Sequence, residues 1–401
     1  MYLCILEKTY CHIVKMKILV VLSRFPYPLE KGDKLRAYHQ IRCLSEKHDI
    51  VLVALHDREV PEEAVEQLRP YCSKMYLLRQ GKVRSALNVF FAFFKGLPIQ
   101  CGYFYSTKNR REIERIVNDE RPDRIYCQLI RMAEYVKDLA IKKVLDYQDV
   151  FSKGMWRRYE NANFLAKPFF KMESRRVARY ESNVFDKFDA CTIITEVDRD
   201  LIPHPRRDEI VIVHNGVQFE QFQYRGENKS CDLIFSGNMG YAPNVDAAEY
   251  LAKEIFPPLR ARFPGLKLVL CGASPAPRVQ ALRADGVTVT GWVDSMRDWY
   301  AMARVFVAPM RMGTGLQNKL LEAMSMQLPC VTSPLAGKPL ENAEAAGAVV
   351  TCCTTEEYIE TIARLLQDAD YYRQLSERGN RYVHGKYDWK AATDRLEQLF
   401  H

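Results

Sequence analysis

A chain of 401 residues is longer than one ordinary core sustains, so its length favours two domains. Hydrophobic content of 48% and charged content of 27% lie near globular averages, which excludes a fibrous or disordered chain. The twelve cysteines are scattered (Cys43, Cys127, Cys191, Cys231, Cys271 and others) with no Cys-x-x-Cys pair, and Cys352 and Cys353 are adjacent. This pattern reads as buried reduced thiols in a cytoplasmic protein, with no metal cluster and no disulfide scaffold.

The net charge of +8 is unevenly spread. Residues 1–215 hold 38 basic against 29 acidic side chains, an excess of nine, whereas the remainder holds 20 against 21. The positive half is either a face for anionic lipid or an anionic acceptor, or a generally basic solvated surface. No nucleic-acid partner is expected.

Along the chain, the first fifteen residues contain Glu7, Lys8, His12 and Lys15, which interrupt the apolar stretch that a signal peptide needs. The first strand is expected from Met16 onward. It covers 17–23, and further strands are expected at 49–55, 74–79, 124–128, 142–147, 191–195 and 209–213. A second series runs at 232–237, 266–272, 287–291, 305–309 and 329–333. These runs are continuously apolar and alternate with longer amphipathic stretches, the mark of βα units with parallel sheets covered on both faces. The series resets across 214–231, a polar stretch opened by the turn dipeptide Asn215-Gly216. Two doubly wound α/β domains follow, at 16–215 and 216–401. No window reaches the eighteen or so apolar residues of a membrane span. The segment 85–98, with Phe90, Phe91, Phe93 and Phe94, is short and suits an interfacial helix or a buried core helix.

The stretch 305–333 carries the most chemistry. A strand ends at Ala308 and Pro309, a loop with Gly313, Thr314 and Gly315 follows, and a helix is expected from about Leu316. Glycines let a backbone approach a ligand closely, and a fresh helix end offers unpaired amides to an anion. Leu316, Leu320, Ala323 and Met324 form the core stripe, while Lys319 and Glu322 are neighbours on another face. A cation near the helix start suits a diphosphate, and a carboxylate one turn on suits ribose hydroxyls. A surface Lys–Glu pair on an ordinary α/β helix is the plainer alternative.

This segment resembles the donor-site motif of the GT-B-fold family 4 glycosyltransferases. In that motif two glutamates with seven residues between them are followed by Ala-Met and a small-Leu-Pro-hydrophobic-Val strand. Glu322, Ala323, Met324 and the run Leu328-Pro329-Cys330-Val331 match it, whereas the first glutamate falls on Thr314. The variant is similar to a bacterial subgroup associated with exopolysaccharide and exosortase gene systems. Residues 235–247 resemble the loop that faces the donor phosphates, which makes Gly237, Asn238 and Asn244 the implied contacts. The Arg and Lys that many members have there are missing, leaving Lys319 or Arg311 to supply the charge. Residues 287–309 resemble the strand beneath the nucleobase, near Trp292 and Val293, and 211–217 resemble the hinge.

In the first half, Gly32 and Asp33 occupy the first βα loop, Gln128 and Arg131 follow the fourth strand, and Asp146 and Asp149 follow the fifth. Strand-end acidic residues more often cap helices than catalyse. The resemblance implies a retaining transfer of a hexosyl-type sugar from a nucleoside-diphosphate sugar to a lipid-linked or polysaccharide hydroxyl, without metal or cofactor. Its implied catalytic residues are Asp149, Arg131 and Glu322, and its implied donor contacts are Gly237, Asn238, Thr314, Gly315, Leu316, Lys319 and Glu322. An anionic membrane surface is a further expected partner. A GT-B-fold epimerase and a non-catalytic nucleotide-sugar-binding module are the competing readings.

Overall fold

The structure, a computed structural model, describes residues 15–29, 31–81, 88, 89, 92, 94, 96–226, 228–313 and 315–401. Strands β1 (Lys17–Leu22), β2 (Asp49–His56), β3 (Lys74–Arg79), β4 (Arg124–Gln128), β5 (Lys143–Asp146), β6 (Ala190–Ile193) and β7 (Val211–Ile212) belong to one sheet, ordered β3-β2-β1-β4-β5-β6-β7. Strands β8 (Cys231–Ser236), β9 (Leu268–Cys271), β10 (Val287–Val289), β11 (Ala303–Ala308), β12 (Cys330–Thr332) and β13 (Val350–Thr351) form the second, ordered β10-β9-β8-β11-β12-β13. The pairings are parallel, as with β1 against β2 and β4, and β8 against β9 and β11. Every residue of β9 and β12 is buried, which is why these strands read as unbroken apolar runs. Two doubly wound Rossmann-like α/β sheets therefore make up the fold.

The chain divides into two compact units. One comprises residues up to Gln148, Pro168–Cys191 and Glu397–His401, and the other comprises Asp149–Lys167 and Thr192–Leu396. In the second sheet the strand order reverses between β8 and β11, so the loops after these two strands flank the crevice where ligands of open α/β sheets bind. In the first sheet the same reversal falls between β1 and β4. Both reversals direct attention to the loops that carry the expected site residues.

Candidate functional site

The loops that follow β8 and β9 in the second unit are built on backbone conformations that glycine favours. β8 ends at Ser236, and Gly237 follows with φ of 149°. Its amide donates to the Cys271 carbonyl at 3.0 Å. A Cβ at Gly237 would lie 2.7 Å from Asn244 Nδ2 and 3.1 Å from Lys319 Nζ. Gly272, after β9, has φ of 143°, and a Cβ there would collide with the Gly237 carbonyl. The two glycines let adjacent strand ends close up and keep this corner narrow. Asn238 Oδ1 accepts from the Gly240 amide at 3.0 Å, and the Asn238 carbonyl accepts from Asn244 Nδ2 at 2.9 Å.

Across the reversal, β11 runs into Met310 and then Gly313 and Gly315, with φ of 125° and 69°. Thr314 lies outside the described residues. The helix begins at Asn318, two residues later than expected, because Gln317 is still extended (φ −89°, ψ 93°). Leu316 thus precedes the helix but still packs on the core, below which Leu320, Ala323 and Met324 are buried as the stripe requires. Gln317 makes no side-chain cap, so the amides of the first turn are suited to an anion.

Lys319 and Glu322 share this corner. Lys319 Nζ donates to Asn244 Oδ1 at 2.6 Å and sits 4.7 Å from the centre of the Phe235 ring. The Tyr300 hydroxyl donates to Glu322 Oε2 at 3.1 Å and lies 2.7 Å from the Ser236 hydroxyl. Each side chain keeps some solvent contact, but protein encloses both charged heads. Burial pushes Lys319 down to about 7, against the partial help of Glu322. Burial pushes Glu322 up to about 7, opposed by the Tyr300 hydrogen bond and by Lys319. A lysine and a carboxylate both shifted toward neutrality by burial are the pattern of a candidate site. Arg311, the alternative source of charge, is engaged elsewhere. It forks onto Asp246 at 3.1 and 2.7 Å and stacks 4.4 Å from the centre of the Tyr250 ring.

A second group in the same unit was not foreseen. Arg157 Nη1 donates to the Gly313 carbonyl at 2.5 Å, tying the segment that contains Asp149 to the loop. Asp198 is pushed up to about 6, first by burial and then by the nearby negative charge of Asp149, while Arg157 opposes the shift. Asp149 itself accepts from the Val150 amide at 2.8 Å. Asn215 Nδ2 donates to Asn318 Oδ1 at 3.2 Å, bringing the hinge stretch to the helix start. Arg157, Asp198 and Tyr300 carry no motif and are separated from the loop in sequence by up to 156 residues, so only the fold could bring them in. Near the base position, Trp292 is 62% exposed and Val293 packs on the core.

In the first unit, the β1 and β4 loops gather Gly32, Asp33, Gln128 and Arg131. Gly32 and Asp33 open the helix Gly32–Ser45. Gln128 Nε2 donates to the Asp33 carbonyl at 3.2 Å, and Arg24 Nε lies 3.5 Å from Asp33 Oδ2. Arg131 is 4.9 Å from the centre of the Phe104 ring, and burial, with Arg24 second, holds it down to about 10. It remains a cation at neutral pH. Asp146 has a different occupation. It is fully buried, gripped by Arg36 at 2.7 and 3.1 Å, and accepts from the Tyr126 hydroxyl at 2.9 Å.

The family described as "Glycosyl transferases group 1" matches residues 230–368. A Klebsiella pneumoniae protein described as an uncharacterized 44.6 kDa protein in the cps region is 22% identical over 332 residues, covering 77% of this chain and 80% of its own. Sucrose-phosphate synthase from Thermosynechococcus elongatus superposes with a TM-score of 0.67 at 15% identity, covering 96% of this chain and 98% of that one. A glycosyltransferase from Rickettsia africae gives 0.66 at 11%, with the same coverages. Anabaena HepE in complex with UDP and glucose gives 0.67 at 12%, again over 96% and 98%. Residues 230–368 of the second unit thus match the group 1 glycosyltransferase family, and the chain as a whole has the GT-B fold.

Proposed function

We propose that this protein is a retaining family 4 transferase that moves a hexosyl group from a nucleoside-diphosphate sugar to a hydroxyl of a lipid-linked or polysaccharide acceptor. The reading is supported above all by one observation, the corner in which Gly237, Asn244, Lys319 and the uncapped helix start converge while Glu322 stands one turn on. The diphosphate fits against Lys319 and the amides, and the ribose against Glu322. As the anomeric carbon–oxygen bond breaks, charge grows on the departing diphosphate. Donors already in place lower the barrier without reorganisation. The acceptor oxygen bonds to the same face of the sugar and passes its proton to the leaving diphosphate. Arg131 and Asp149 are the candidates for orienting the acceptor and sugar. Because the K. pneumoniae relative lies in a cps region and HepE is bound to UDP and glucose, exopolysaccharide assembly from a uridine donor at the inner face of the membrane is the favoured setting.

A panel of nucleotide sugars screened by thermal shift identifies the donor, since bound ligand stabilises the folded state by mass action. Proton NMR of the product with that donor then reads the anomeric configuration. Retained configuration is expected. An inverted product would remove the retaining assignment, and a nucleotide sugar epimerised without acceptor would replace transfer altogether.

A further inference from the structure

Two large apolar side chains stand adjacent on the surface in a segment that carries no motif. Helix Phe151–Asn161 ends, and a tight turn leads into helix Lys167–Phe185. The turn is fixed locally: the Ala166 amide donates to Asn163 Oδ1 at 3.0 Å, and the Lys167 amide to the Asn163 carbonyl at 3.1 Å. This bonding projects Phe164 and Leu165, which are 86% and 85% exposed. Single exposed apolar residues are ordinary, but an adjacent Phe–Leu pair held out by a rigid turn carries a real cost in water.

The charge around the pair is one-sided. Lys153, Arg158 and Lys167 flank it in the chain, with Glu160 the acidic residue between them, while Arg157 is engaged with the Gly313 carbonyl. Glu160 already accepts from the Trp156 indole at 2.9 Å, and Lys167 leans over the Tyr159 ring at 5.7 Å. Apolar tips flanked in the chain by cations match the chemistry of an anionic bilayer interface, where the tips enter the acyl boundary while the cations meet the headgroups.

We propose that the turn carrying Phe164 and Leu165 is a membrane-docking element that inserts into anionic lipid. The proposal rests on the membrane-surface part of the reading above and is independent of the sugar transferred. Its failure therefore leaves glycosyl transfer untouched. The full chain is sedimented with phosphatidylcholine vesicles with and without phosphatidylglycerol, no donor being present. Binding to the mixed vesicles, weakened by salt, is expected, with little to neutral ones. Phe164→Ser with Leu165→Ser should lower the partition about tenfold or more, because two apolar side chains leave the interface. Melting temperature and nucleotide-sugar affinity should be unchanged, since neither side chain is packed. Phe164→Trp supplies a direct readout, a blue shift of emission when mixed vesicles are added. An unaltered partition of the double variant, or no blue shift with bound protein, overturns the proposal. So does a parent that is dimeric by light scattering and becomes monomeric in the double variant, which would assign the turn to contact with a second copy.

Discussion

Lys319 and Glu322 are held where neither is comfortable as a charge, and that tension yields tests. Glu322 is raised from 4.5 to about 7 in the folded state, so its contribution to stability is present below 4.5 and is lost as pH rises through 7. Lys319 is lowered from 10.5 to about 7, so its contribution is present above 10.5 and is lost as pH falls through 7. The two together are least favourable around neutrality. Glu322→Gln, which keeps an acceptor for the Tyr300 hydroxyl, should therefore leave the melting temperature at pH 7 unlowered while weakening donor affinity. Calorimetric titration showing unchanged affinity would remove the ribose role. Lys319→Ala should weaken nucleoside diphosphate and sugar nucleotide alike, by about ten- to a hundredfold, since a charge-assisted hydrogen bond is worth roughly 1.5–3 kcal/mol. In the parent, affinity for a sugar nucleotide should fall above pH 7 as Lys319 loses its proton. Lys319→Arg should flatten that profile, and a profile that stays steep would point to another titrating group.

Among elements, the strand-end glycines set the shape of the corner. Gly237→Ala places a methyl against two flexible side-chain ends, Asn244 and Lys319, which can move aside at the expense of the ligand site. Gly272→Ala meets the Gly237 backbone carbonyl, which cannot. Both positions also have positive φ, which L-residues rarely adopt. The expected ordering is that Gly237→Ala loses donor affinity with a moderate drop in melting temperature, and Gly272→Ala loses more stability. Differential scanning calorimetry beside nucleotide titration separates the two, and equal destabilisation would show that strain rather than contact dominates.

For the whole chain, the last residues return to the first unit. Phe400 is fully buried with its ring 6.4 Å from that of Tyr126, and Glu397 pairs with Lys47 at 2.6 Å and His48 at 3.2 Å. The C-terminal tail is thus part of the first unit's core. Phe400→Ala should cost about 3–5 kcal/mol, the usual range for deleting a buried aromatic ring. Urea melts should show the loss as a shifted midpoint, and hydrogen exchange should place it in β1 and β4 rather than in β8 and β11. Protection lost from the second sheet instead would contradict the division into units.

Sequence by itself determined what periodicity and local chemistry can carry. The unbroken apolar runs named twelve of the strands to within a few residues, and the loop–helix pattern at 305–333 named Lys319, Glu322 and the loop glycines. β13 escaped because two residues, Val350–Thr351, have no period to read. The start of the donor helix came two residues early because Gln317 looks helical in sequence but is held extended after Gly315. Tertiary structure alone decided partnerships. It committed Asp146 to the buried Arg36, sent Arg311 to Asp246, brought Arg157 to the Gly313 carbonyl, set Asp198 near Asp149 and joined Tyr300 to Glu322. It also decided that burial would move Lys319 and Glu322 toward neutrality. Hydrophobic pattern is a local property of the chain, whereas desolvation and ion pairing depend on which distant segments the two sheets bring together.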